Sequence, residues 1–160
     1  MRVNLEEDEH IIAALTKTWA IALGLMGIFN KSKEGILALT NKNLIFVPRY
    51  LYVSPKEREK YFGEDKVKVT QLWDYSETQL DEDISENSKS WILSLESIID
   101  ATQVTLRKVN FMRIKSSSNK KEKSYDFGIA KSVTNYPIRQ PLLYYSVDWT
   151  AWIDLLKLHI

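Results

Sequence analysis

Few residues in this chain have side chains suited to chemistry. There are two histidines, His10 and His159, and no cysteine. Thiolate catalysis is therefore excluded, and a zinc site would have to be built without its commonest ligand. Each histidine lies near a chain end beside apolar residues, away from any second ligand in sequence. No segment reads G-x-S-x-G, so a serine triad has no recognisable elbow. No P-loop and no G-x-G-x-x-G is present; Gly24 and Gly27 do not form a nucleotide fingerprint. Carboxylates crowd residues 74–86, but the surrounding sequence is polar and offers nothing to raise a pKa for general-acid work. That block reads as a solvated acidic loop. The sequence thus predicts a protein that is not an enzyme and has no cofactor and no metal.

The lysines are the second resource. Net charge is only +1, but the charge is divided. From Asp74 to Asp100 there are eight acidic residues and one lysine, Lys89. From Arg107 to Arg139 there are nine basic residues against Glu122 and Asp126. Lys115, Lys120, Lys121 and Lys123 surround a run of three serines, "SSS". Ammonium groups with hydroxyls and turn N–H groups are the chemistry of an anion site. The plainer reading is a solvated hairpin tip, where Lys and Ser serve solubility. Nucleic acid is not expected, because the neighbouring aromatics, Phe111, Tyr125 and Phe127, sit where a core would claim them.

The elements that must carry these residues are mostly strands. Trp19, Ile21 and Leu23 share a face at period two, and Gly24 and Gly27 suggest a bend. Ile11 to Phe29 is apolar enough to raise a membrane span, but Lys17 lies inside it and its cost argues for buried strand instead. "NKSKEG" at 30–35 is a turn. "GILALT" and "NLIFVP" are two apolar runs with Asn41 and Lys42 between them, a tight hairpin in which Asn would tolerate a left-handed position. Residues 56–90 change to charged and Ser-rich composition and read as an insertion, partly ordered at most near its acidic end. Period-two alternation returns at Trp91, Leu93 and Leu95, at Thr102, Val104 and Leu106, at Met112 and Ile114, and at Tyr125, Phe127 and Ile129. Near the end, Trp149, Trp152, Ile153, Leu156 and Ile160 fall at helical spacing, with Ser146 or Asp148 as caps. One mainly β domain over 1–160, interrupted at 56–90 and closed by a helix, is the expected organisation.

"GILALTNKNLIFV" resembles a run of the pleckstrin-homology-like superfamily, most closely its GRAM and bacterial PH-like branch. Those proteins often show G-x-L-x-L-T-[ND]-x-R-L-[IV]-F, with Arg at the position of Asn43. "ILSLESIIDATQ" and "DWTAWIDLLK" are similar to a later strand and the C-terminal helix of the same superfamily. The resemblance covers roughly 60 of the 160 residues. It implies a PH-like antiparallel barrel of two packed sheets with one C-terminal α-helix plugging an open end. It also implies a basic loop after the first strand, here carrying Lys31 and Lys33. The expected role is a non-catalytic binding module for a protein partner. The alternative is a peripheral module that binds anionic phospholipid headgroups through Lys31, Lys33, Lys115, Lys120, Lys121 and Lys123. An acidic N-terminus and the lack of cysteine fit a cytoplasmic setting, peripheral at the membrane under the second reading.

Overall fold

The computed structural model describes residues 2–24, 32–50, 54–56, 59, 67, 75–134 and 140–160. Eight antiparallel strands form one sheet: β1 (Ile11–Ala22), β2 (Lys33–Thr40), β3 (Asn43–Val47), β4 (Trp91–Ser94), β5 (Ile98–Leu106), β6 (Val109–Ser118), β7 (Lys121–Thr134) and β8 (Gln140–Tyr145). The path of paired strands is β4-β3-β2-β1-β7-β6-β5. β8 joins β7 on the edge that β6 uses, because Ile129 pairs with Tyr145 on one side and with Thr18 of β1 on the other. Two helices are described, α1 (Glu77–Glu86) and α2 (Thr150–His159).

The expected barrel of two packed sheets is not what forms. The sheet is continuous, and its two terminal strands, β4 and β5, do not pair, so it is not closed. The joint between them is short. Residues Leu95–Ser97 make one 3-10 turn, with the Glu96 N–H donating to Ser94 Oγ at 3.2 Å and Ser97 Oγ donating to the Ser94 carbonyl at 2.7 Å. That turn ends a four-residue β4 and leads directly into β5, which pairs with β6 at the other end of the strand path. An open seam is left along the outer edge of β4.

β1 holds a bulge between Leu15 and Thr18, where Lys17 takes a left-handed φ of 58°. The segment once open to a membrane reading is thus strand as far as Ala22, and no helix among the described residues is long and apolar enough to span a bilayer. The rest of that segment, 25–29, lies outside the described residues.

Burial explains the apolar runs of the opening hairpin. Ile36 to Leu39 and Leu44 to Val47 are essentially inaccessible on both faces of the sheet. A strand covered on both faces needs no polar alternation. Gly35 is required by close approach: a Cβ there would lie 2.1 Å from the Val47 carbonyl oxygen and 2.8 Å from the Phe46 ring. β5 differs, with only Ile98 and Ala101 buried. Phe111, Tyr125 and Phe127 are buried, as a core role requires. α2 brings Trp152, Ile153 and Leu156 into the core, and Asp148 Oδ1 accepts the Thr150 N–H at 3.0 Å at its start.

The acidic block is a correction to the sequence reading. Residues 77–86 are a helix, not a solvated loop. Ser76 Oγ caps it by accepting the Gln79 N–H at 3.1 Å. Leu80 is fully buried, and Asp81 and Asp83 are 5% and 1% exposed. Asp81 accepts the backbone N–H groups of Val3, Asn4 and Leu5 at 3.0, 2.8 and 2.9 Å. Asp83 accepts from Arg49 at 2.7 Å, Tyr75 at 3.0 Å and Gln79 at 2.9 Å. Local polarity concealed this, because every donor to Asp81 named here, and Arg49 to Asp83, comes from far along the chain. Other parts of the 56–90 block lie largely outside the described residues.

Candidate anion-binding crevice

The β6–β7 hairpin turns on Asn119 and Lys120, both left-handed at φ 52° and 64°. Two left-handed central residues make the turn whose twist suits a two-residue hairpin. The register then sets the faces. Ile114 pairs with Tyr125, Ser116 with Lys123 and Ser118 with Lys121, and cross-strand partners share a face. Lys121 and Lys123 therefore continue the inner face beyond the core residues Tyr125 and Phe127. Lys115 pairs with Ser124 on the opposite face, beside Glu122 and the Arg113–Asp126 pair. That pair is bidentate at 2.8 and 3.0 Å, and Asp126 is 2% exposed, so its charge is already answered.

The inner face of this hairpin looks across the seam toward β4. Trp91, at the start of β4, lies between Tyr125 and Phe46, with centroid separations of 4.4 and 5.7 Å and near-parallel rings. Packed against these two rings, it supplies an aromatic floor. Lys33 pairs with Ala20 and so shares the Phe127 face. Around the aromatic floor is a cleft of about 270 Å³ lined in part by Lys33, Lys89, Lys123, Ser88 and Ser90. The Ser90 hydroxyl is buried with no hydrogen-bond partner. A second space of about 380 Å³ continues along β4, between Ile92 to Ser94 and the hairpin residues Ser116, Ser118, Lys121 and Lys123. Lys123 lines both spaces, and among the described residues none that lines either is acidic.

Of the lysines singled out from sequence, the fold gathers Lys33, Lys121 and Lys123. Lys115 lies on the other face and Lys120 at the turn apex. Lys31 lies outside the described residues. Lys89 is the residue that sequence reasoning missed. It counted there as the single basic residue of an acidic block, whereas "SKS" at 88–90 has the same Ser/Lys character as the tip it faces.

The other lysine-bearing tip has been neutralised. In the β2–β3 hairpin, Thr40 Oγ1 accepts the N–H groups of Lys42 and Asn43 at 3.1 and 2.9 Å. Asn41 is not left-handed, contrary to the sequence expectation; the Thr40 hydroxyl closes the turn instead. Thr40 Oγ1 and Asn43 Nδ2 donate to Glu9, which is 1% exposed. Lys42 bonds Glu6 and Asp8, and hydrogen bonding to Asp8 and then Glu6 raises its pKa above the ordinary value. A shallow depression of about 600 Å³ beside this tip includes Glu6, Glu96 and His159. Its carboxylates make it a poor counterpart for an anion. Among the described residues no group of three His, Asp or Glu side chains is placed to hold a metal ion.

No protein-family model, no curated protein and no solved structure matches this chain.

Proposed function

We propose that this chain is a non-catalytic binding module of PH-like architecture, and that its crevice along β4 binds an anionic protein partner. The observation that carries the reading is that Lys33, Lys89 and Lys123 line one end of the crevice and Lys121 and Lys123 the other, with no carboxylate among the described lining residues. An anionic partner would answer the positive charge along this crevice. The PH-like reading is supported by the antiparallel strand path with β1 at its centre, by the C-terminal helix and by the "GILALTNKNLIFV" run.

Titration of the labelled chain with pyrophosphate, followed by amide chemical shifts at low salt, tests the site. Shifts concentrated on residues 88–94 and 116–123 are expected. Shifts centred on Arg107, Lys108 and Lys115, or none at all, would overturn it.

A second reading has its own observation. The 270 Å³ end of the crevice, with the unpartnered Ser90 hydroxyl, is compact enough to enclose a single phosphate. A phospholipid headgroup would supply one. Sedimentation with phosphatidylserine vesicles, with phosphatidylcholine as control, separates this reading from a protein partner.

A further inference from the structure

We propose that the partner enters as an extended acidic peptide, added as a strand to the free edge of β4. The inference rests on the anion-binding reading above and specifies what occupies the crevice.

The backbone makes the first part of the case. β4 pairs with β3 alone, and among the described residues no strand pairs with its other edge. The Leu95 N–H bonds the Lys42 carbonyl at 3.0 Å, so Leu95 and Lys42 are a hydrogen-bonded pair. In an antiparallel ladder such pairs alternate with pairs whose polar groups point away. Register places Leu93 and Trp91 toward β3, and Ile92 and Ser94 outward. The Ile92 N–H and C=O and the Ser94 N–H thus face the seam. Ser97 already serves the Ser94 carbonyl. Across the seam, β5 covers β6 only as far as Ser116, leaving the tip at Ser117 and Ser118 beyond it. Exposed strand edges invite exactly such a pairing, and peptide recognition by strand addition uses it.

Charge makes the second part. Lys121 and Lys123 are two residues apart on one strand face, a spacing of about 6.7 Å. An added strand presents its own side chains to one face at the same period. Acidic residues at positions i and i+2 would therefore meet both lysines, and the Lys33 and Lys89 end would take a third. A lipid headgroup would use the charge but leave the β4 edge idle.

The test uses the full chain and a fluorescent decapeptide, (Glu-Thr)5, read by anisotropy at low salt. Three comparisons accompany it. One peptide has the same composition in block order, five Glu then five Thr. One is (Glu-Thr)5 with N-methyl groups on alternate residues, which keeps the charge and blocks pairing. The third comparison is the variant Ile92→Pro, whose missing N–H points away from β3 and so spares the existing ladder. The expected result is that the alternating peptide binds, and that block order, N-methylation or Ile92→Pro each weakens it by roughly tenfold or more. Circular-dichroism melting checks that Ile92→Pro folds; if it does not, the N-methylated peptide decides alone. Equal binding of the alternating, block and N-methylated peptides would overturn strand addition and leave an anion site standing. Binding of pyrophosphate or phosphatidylserine vesicles without peptide binding would overturn the peptide and keep the site. Failure of every probe would remove both.

Discussion

Two hairpin tips of similar composition have opposite fates. The β2–β3 tip, "TNKN", and the β6–β7 tip, "SSNKK", each place Asn and Lys at a turn with hydroxyls nearby. The first is enclosed. Residues 2–10 wrap over it, Glu9 takes the donors of Thr40 and Asn43, and Lys42 is answered by Glu6 and Asp8. The second projects past the core with its lysines facing an open seam. A lysine at a turn therefore says little about binding by itself. What decides is whether a carboxylate from a distant segment reaches it.

The largest expected effect breaks the enclosed tip. Glu9→Ala removes the acceptor for the buried Thr40 hydroxyl, the half-buried Asn43 amide and the Glu6 N–H. Guanidinium unfolding should show a loss of about 3 kcal/mol. A change under about 0.5 kcal/mol would mean that the tip does not need its carboxylate. The open tip should respond in the other currency. Lys121→Glu with Lys123→Glu should weaken pyrophosphate binding roughly tenfold or more while the unfolding midpoint stays put. Loss of stability comparable to the Glu9 variant would erase the contrast between the tips.

A pH titration of stability sharpens the enclosed side. Burial pushes the Asp81 carboxyl up, but the N–H groups of Val3, Leu5 and Asn4 outweigh it and hold the pKa below its ordinary 3.8. Asp81 thereby fastens the segment that covers the β2–β3 tip. Because the folded-state pKa is the lower one, the stabilisation is full above the ordinary value and is lost as pH falls through the folded-state value. Between pH 5 and pH 2 the wild type should lose on the order of 1 kcal/mol more than Asp81→Asn. Parallel curves for the two proteins would count against the fastening role. The smallest effect concerns the open tip alone. Lys120→Gly relieves a left-handed lysine and should stabilise the chain by about 0.5 kcal/mol, read from thermal melting, without altering pyrophosphate affinity.

Asn43 shows how position carries meaning between the two tips. The resembling motif has Arg there, and the sequence offered no role for the missing charge. In the fold the residue faces the Glu9 carboxylate at 2.8 Å. The position supplies a donor to a buried acid, and Asn does so without charge. Asp81 and Asp83 teach the converse. In sequence they belong to a polar run with no apolar neighbours except Leu80 and Ile84. In the fold they hold an N-terminal strap and the segment just after β3, with donors 78 and 34 residues away.

Period-two alternation, the unbroken apolar runs at 36–39 and 44–47, and the helical stripe of 149–160 were sufficient to mark strands, hairpins and the terminal helix, because those patterns report local geometry and burial. Composition also marked the lysines as the available chemistry. Tertiary structure decided the rest. It left the sheet open where a barrel was expected, with the terminal strands β4 and β5 unpaired to each other. It made a helix of the acidic block, whose carboxylates take donors from Val3, Asn4, Leu5 and Arg49. It gathered Lys33, Lys89, Lys121 and Lys123 from three separate segments along one crevice, since strand order and register, which no local window contains, set which side chains share a face.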